Sequence, residues 1–188
     1  MRMHLESRDI ARTGLMIALG VVLIVLGGYI STTTLFFLAA SAFLSGVMEG
    51  NFSLGLGVLY LVGTALLGLF LTPQKLHIAT FSAMALYVLA AEWFEKRASE
   101  EGREVNPMVV WGCKFFLYHL LLALALVAFQ ALYGLDIVFA QGLPGKLSEG
   151  SRALAWAASV CMVEVLWLVF DRAYVFFRRR YGHIFLQK

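Results

Sequence analysis

Four ionisable side chains lie within the last two long apolar runs of the sequence, and they are the residues best suited to chemistry at membrane depth. They are Lys114 and His119 in the fifth run, and Glu164 and Asp171 in the sixth. An ionisable group inside a membrane-spanning helix is costly, so each one is a functional hypothesis by default. A histidine beside a carboxylate could relay a proton or line a ligand cavity. Oppositely charged pairs could equally serve only to fix the packing of two helices.

Depth along two antiparallel helices indicates which of these residues can meet. A helix rises ~1.5 Å per residue, so position along a helix gives depth in the membrane. Lys114 and Asp171 lie at about the same depth, near the cytoplasmic ends of their helices. His119 and Glu164 both lie near the midplane of the membrane. We therefore expect these residues to form two depth-matched pairs. Glu164 and Asp171 are seven residues apart and therefore lie on one face of the sixth helix. Lys114 and His119 are five residues apart, so they cannot both point equally towards that face. The two pairs therefore need not both form.

The elements that must hold these residues are six apolar runs, each long enough to cross a bilayer. Hydrophobic residues make up 61% of the chain and its mean hydropathy is +0.80, whereas soluble domains are ~45–50% apolar. A hydrocarbon core of ~30 Å needs about 20 residues per helix. The sequence predicts an all-α membrane protein with a single integral membrane domain over residues 1–188. The six predicted spans are 13–31, 32–48, 52–72, 77–94, 107–133 and 151–177.

The distribution of basic residues predicts that both termini are cytoplasmic. Ten basic residues fall on the side of the termini and three on the other, which follows the positive-inside rule. The ten are Arg2, Arg8, Arg12, Lys96, Arg97, Arg103, Arg178, Arg179, Arg180 and Lys188. The three are Lys75, Lys146 and Arg152. Because the basic residues flank helix ends instead of forming one face, the net charge of +3 does not indicate a nucleic-acid binder.

Two connections have a clear sequence character. Residues 92–106 carry many charges and are predicted to form a loop on the cytoplasmic side, after which Asn106-Pro107 predicts the start of the fifth helix. Residues 72–75 are predicted to form an outside turn, because Pro73 breaks the helix there.

The sequence contains no recognised catalytic or metal-binding motif. It has no HExxH, GxSxG or Walker A pattern, and no carboxylate cluster of the kind that binds metals. Cys113 and Cys161 both fall inside predicted spans and have no CxxC or Cys/His spacing. We therefore expect no enzyme activity, no cofactor and no metal, and any ATP-driven step would need another subunit.

Small residues mark two of the predicted spans as sites of close helix approach. The first span carries the stripe Ala11, Gly14 and Ala18, for which internal packing and docking of a partner helix are both open. The third span holds four glycines, which indicate close contacts with neighbouring helices. These glycines are Gly55, Gly57, Gly63 and Gly68.

The N-terminal segment 12–19 combines a basic residue with the small-residue stripe of a first helix. With its size and six spans with both ends inside, the chain resembles an S component, the substrate-binding membrane subunit of energy-coupling factor (ECF) transporters. Gly14 replaces the first alanine of that family's stripe. Further segments are similar to an uncharacterised S-component-like group of Firmicutes proteins. These segments are residues 72–75, Tyr87, 92–97, 114–116 and 170–172.

This resemblance implies a location, partners and a binding region. The chain would be a multi-pass protein of the bacterial plasma membrane that captures a vitamin-like small molecule from outside. Its stripe at Ala11, Gly14 and Ala18 would dock on the transmembrane T component, and separate ATPase subunits would supply the energy. The substrate would bind in the outer half, under the external loops. The candidate residues are Tyr29, Thr33, Gln74, His77, Asp136 and Trp156.

Two other functions fit the same sequence. A non-transport scaffold of a cell-envelope complex would have structural ion pairs, no ligand cavity and a protein partner. A small proton-coupled permease would use His119 and Glu164 and would take up its substrate without other subunits.

Overall fold

The computed structural model describes residues 7–100, 107–133 and 149–181. Within these residues the structure is all-helical, with six α-helices and no strand, which confirms the predicted fold class. The helices are α1 (Ser7–Tyr29), α2 (Thr34–Asn51), α3 (Leu54–Leu71), α4 (Lys75–Glu100), α5 (Pro107–Tyr133) and α6 (Glu149–Tyr181). A short 3-10 turn, Ser31–Thr33, joins α1 to α2.

Four of these helices are long and apolar enough to cross a membrane, which supports a multi-pass membrane protein. The four segments are Asp9–Tyr29 in α1, Leu54–Leu71 in α3, Lys75–Arg97 in α4 and Met108–Val127 in α5. The other two helices, α2 and α6, are not among these four. That they also cross the membrane, and that both termini are cytoplasmic, stays a prediction.

The structure corrects the predicted end of the fourth helix. Residues 92–100 continue α4 as a helix, so the prediction of a charged loop from residue 92 was wrong for this part. The helix can continue because Glu92 and Glu95, one turn apart on the same face, find cationic partners within the protein. The start of α5 at Pro107, by contrast, is where the sequence predicts it.

The chain folds into two compact units. The first contains α1 to α4, the beginning of α5 up to Lys114, and the end of α6 from Phe176. The second consists of residues 115–175, and therefore of the remaining parts of α5 and α6. The prediction of a single membrane domain stays a prediction.

Helix α2 forms the centre of the first unit. It packs most extensively against α4 and then against α1 and α3. Its residues 41–49 are all buried. Two serines and two other small residues among residues 41–46 leave little side-chain bulk, so neighbouring helices approach α2 closely. Its polar groups are satisfied there, because Ser41 donates to the carbonyl of Gly20 at 3.1 Å and Ser45 to that of Ala42 at 2.6 Å.

Glycines of α3 make the close contacts that the sequence predicts. A Cβ atom at Gly57 would lie 2.6 Å from Leu89 Cδ2 of α4 and 3.3 Å from the carbonyl oxygen of Ser45 of α2, so a side chain there would force its neighbours to shift. The equivalent atoms at Gly63 and Gly68 would crowd isoleucine side chains of α1 and α4 in the same way. Three of the four predicted glycines therefore sit where neighbouring helices touch α3.

Candidate functional site

A network of ion pairs lies at one end of the first unit. Lys114 Nζ is 2.7 Å from Glu95 Oε1, and Arg178 Nη1 is 2.5 Å from Glu95 Oε2. Arg178 Nε is also 3.1 Å from Glu92 Oε1. Glu92 and Lys114 are buried, whereas Glu95 and Arg178 are partly exposed. We call these four residues the ion-pair network; it fastens α4 to the start of α5 and the end of α6.

The sequence anticipates this network only in part. It identifies Lys114 as a residue at membrane depth in need of a partner, and the structure gives it Glu95. The spacing of Glu92 and Glu95 on one helical face is the signal that could have revealed the acidic side of the network. The predicted pairing of Lys114 with Asp171 concerns residues of different units and stays a prediction.

The second unit contains the predicted pair of His119 and Glu164. His119 Nε2 lies 3.1 Å from Glu164 Oε1, and His119 Nδ1 lies 2.9 Å from the carbonyl oxygen of Phe115. Since a carbonyl only accepts hydrogen bonds, Nδ1 must carry a proton. The two contacts hold the imidazole between the backbone of α5 and the carboxyl group of Glu164 on α6.

Aromatic rings pack beside this pair. Tyr118 stacks on Trp167 with ring centroids 5.2 Å apart, and Phe115 meets Trp167 edge to face at 5.6 Å. The hydroxyl of Tyr118 donates to the carbonyl of Val163 at 3.3 Å. Both ring contacts of Trp167 are therefore packing contacts, and they join α5 to α6 within the second unit.

Replacing both members of the pair tests its role. We expect His119→Leu to lower the stability of the protein by about 1–3 kcal/mol, because it leaves the Glu164 carboxyl without its partner in an apolar setting. Adding Glu164→Leu should restore most of that loss, since it removes the carboxyl group that the first change leaves without its His119 partner. Thermal unfolding in lipid nanodiscs measures both effects. A double variant as unstable as the sum of the two single variants would contradict a purely structural pair.

The strongest candidate for a ligand site lies where α1 ends and α4 begins. A Cβ atom at Gly28 would lie 3.6 Å from Thr72 Cγ2 and 3.9 Å from His77 Nδ1. Thr72 Oγ1 and His77 Nδ1 are both buried and have no hydrogen-bond partner within the described part of the chain. A buried polar atom without a partner costs about 1–3 kcal/mol, so it calls for an explanation. We call Gly28, Thr72 and His77 the Thr72–His77 site.

The structure brings only one of the predicted substrate-binding residues, His77, into this site. Tyr29 follows Gly28 but is 84% exposed. Thr33 and Gln74 are exposed in the two neighbouring connections, and the backbone carbonyl of Gln74 accepts from the His77 N–H at 3.1 Å. Two further predictions fall elsewhere: Asp136 and the side chain of Trp156 lie outside the described residues.

Sequence reasoning missed Thr72 and Gly28 as members of the site. Thr72 precedes Pro73, which marks a turn, but nothing in the sequence indicates that the Thr72 hydroxyl is buried. Its neighbour Lys75 donates to the carbonyls of Leu69 and Thr72, and so satisfies the end of α3 without using the Thr72 side chain.

The small-residue stripe of α1 is open to its surroundings. Ala11, Gly14 and Ala18 are exposed, and a Cβ atom at Gly14 would have no heavy atom of the described residues within 4 Å beyond its own helix. Within the described residues, Gly14 therefore makes no close contact with another helix. Docking of a partner helix stays a prediction.

Comparison with protein-family models, curated proteins and solved structures finds no match to this chain. Within residues 7–100, 107–133 and 149–181, no three histidine, cysteine, aspartate or glutamate side chains lie together in a way that could hold a metal ion.

Proposed function

We propose that this chain is the substrate-binding membrane subunit of an ECF-type importer, an S component that captures a vitamin-like small molecule from outside the cell. The proposal rests mainly on the Thr72–His77 site, where two buried polar atoms beside a glycine have no hydrogen-bond partner among the described residues. A ligand that hydrogen-bonds to both atoms would bind there, because its hydrogen bonds would offset the free-energy cost of burying them.

The chemistry of the site limits what it could bind. A threonine hydroxyl donates and accepts, and a neutral imidazole nitrogen does one or the other according to its tautomer. The site therefore suits an uncharged or weakly charged polar group such as an amide, a hydroxyl or a carboxyl. Gly28 contributes by lacking a side chain, because a larger residue would occupy the space next to Thr72 and His77.

The exposed stripe of α1 supports the second half of the proposal. Small residues let two helices approach closely in a membrane, where dispersion contacts drive association. Ala11, Gly14 and Ala18 are exposed, as a surface that docks on a T component requires. The energy for import would come from ATPase subunits bound to that partner, since this chain has no Walker A sequence.

Co-purification tests the docking surface. We expect the tagged protein to co-elute in detergent with the ECF module of its own source organism, and Gly14→Leu to reduce co-elution about tenfold by holding the helices apart. Gly112→Leu is the matched control, because Gly112 is also a helical glycine without neighbours within 4 Å among the described residues. Equal co-elution of both variants would contradict docking through the stripe.

Ligand binding is tested separately with a panel of water-soluble vitamins in a thermal-shift assay. One member should raise the unfolding temperature of the wild type, and Gly28→Val should abolish that rise by filling the Thr72–His77 site. Folded protein that neither responds to the panel nor co-elutes with the ECF module would favour the scaffold function. Uptake into vesicles by the protein alone would favour the permease.

A further inference from the structure

Glu49 is a buried carboxyl group that the functions considered above leave without a role. It lies in the last turn of α2, one residue beyond the predicted span 32–48, and only 1% of it is exposed. Its Oε2 atom has no hydrogen-bond partner in the part of the chain that the structure describes. An ionised carboxylate in such a place is costly, because no donor replaces the water it has lost.

The surroundings of Glu49 combine close packing with a second buried acid. The position of a Cβ atom at Gly57 of α3 lies 3.2 Å from Glu49 Cβ, so α3 covers this side chain. From α4, the carboxylate of Glu92 repels a negative charge on Glu49, whereas the exposed Lys96 attracts it. Glu92 itself reaches the end of α2, where its Oε2 is 3.7 Å from the Cβ position of Gly50.

The other charged groups at this end of the unit are engaged elsewhere. Lys114 of α5 and Arg178 of α6 bond to the glutamates of the ion-pair network. Glu95 of α4 receives both cations. From α1, the guanidinium carbon of Arg12 lies 6.0 Å from the ring centroid of Phe52, just past the end of α2. Two glutamates and two cations balance in the network, so an ionised Glu49 would add a negative charge with no ion-pair partner among the described residues.

We infer that the buried carboxyl of Glu49 is a reversible proton-binding site that sets the packing of α2 against α4. A proton is the ligand that fits, because the carboxyl is too buried to admit a basic side chain from outside. Binding forms one O–H bond on the carboxylate and removes its charge, with the proton taken from the solution at that end of the bundle. The site requires neither a ligand at the Thr72–His77 site nor a partner protein.

The electrostatics of the site agree with this inference. Burial raises the pKa of Glu49 from 4.5 to about 7, with a further increase from Glu92 and a decrease from Lys96. Below about pH 4.5 the carboxyl is protonated in both the folded and the unfolded protein, so it makes no difference to stability. Stability then falls as the pH rises towards about 7, because only the unfolded state releases the proton readily. The contact between α2 and α4 should therefore be firmest on the acidic side of neutrality.

Infrared spectroscopy of the full-length protein in lipid vesicles tests the site directly. A protonated buried carboxyl has its own carbonyl stretch, which we expect to disappear as the pH is raised from about 5 to about 9. Glu49→Gln should remove that titrating band. Lys96→Gln should move the midpoint of the band to higher pH, because it takes away the charge that favours ionised Glu49. Arg97→Gln is the matched control, since Arg97 is also exposed but lies over the Trp93 ring.

Either of two results would overturn the inference. The first is a titrating band that survives unchanged in Glu49→Gln. The second is a midpoint that Lys96→Gln leaves where Arg97→Gln leaves it. Because Lys96 is exposed, its variant keeps the question decidable even where Glu49→Gln fails to fold.

Discussion

Replacing Arg178 by glutamine is expected to cost the protein about 2–3 kcal/mol of stability, near the lower end of what breaking a buried ion pair costs. The guanidinium bonds to Glu92 at 3.1 Å and to Glu95 at 2.5 Å. Glu92 is buried, so water cannot replace the guanidinium as a partner of its carboxylate. The expected loss is at the lower end because Arg178 itself is 45% exposed. Thermal unfolding in nanodiscs at neutral pH measures the difference.

The neighbouring arginine is a close control for this variant. Arg179 is exposed and belongs to the same basic run, so Arg179→Gln changes the net charge equally without touching the ion-pair network. We expect its effect to stay within about 0.5 kcal/mol. Combining Arg178→Gln with Glu92→Gln should recover part of the loss, because the second change removes the buried carboxylate that Arg178 had bound. Equal effects of Arg178→Gln and Arg179→Gln would show that the network contributes no stability beyond net charge.

Adding one methyl group at Gly20 should be as damaging as losing an ion pair. A Cβ atom there would overlap the hydroxyl of Tyr60, which is wholly buried. That hydroxyl donates to the carbonyl of Ser41 at 2.8 Å, so the ring cannot move aside without breaking the bond. We expect Gly20→Ala to cost about 2–3 kcal/mol through overpacking and the strained hydrogen bond.

The same substitution two turns earlier on α1 gives the opposite expectation. At Gly14 the added methyl group meets no atom of the described residues within 4 Å outside its own helix. Alanine is the better helix former by about 1 kcal/mol, so Gly14→Ala should be neutral or stabilising. Comparing the two unfolding temperatures in one detergent isolates the packing contribution. A Gly20→Ala protein as stable as the wild type would mean that α1 and α3 are farther apart than the structure has them.

The helices and their close contacts could be predicted from the sequence, because the bilayer restricts the chain so strongly. Apolar runs long enough to span a membrane must be helical, and glycines within them mark close approach, as Gly57 does. Depth along antiparallel helices also sufficed to pair His119 with Glu164, since both lie near the middle of their runs. Each of these inferences uses only local composition and position along a helix.

The charged and ligand-binding sites could not be derived in the same way. Lys114 and Arg178 have long side chains that reach carboxylates on α4. Their positions in the sequence do not show which carboxylates those are. The charges at the end of α4 predict a loop in water, whereas Glu92 and Glu95 are paired with cations inside the protein. Thr72 has no charge and no periodic position, so the burial of its hydroxyl follows only from how α1 packs against the α3–α4 connection.

The Glu95 carboxylate connects two parts of the chain that are far apart in sequence. The backbone leaves the first unit after Lys114 and returns at Phe176, and Lys114 and Arg178 then meet on the two oxygens of one side chain. Residues 115–175 are thus flanked on both sides by residues that bind the same carboxylate, that of Glu95. Closing a flexible chain costs only ~0.6 kcal/mol more for each doubling of its length. Insertions between Tyr133 and Glu149 should therefore cost the first unit little stability, whereas insertions within α5 or α6 would disrupt a helix.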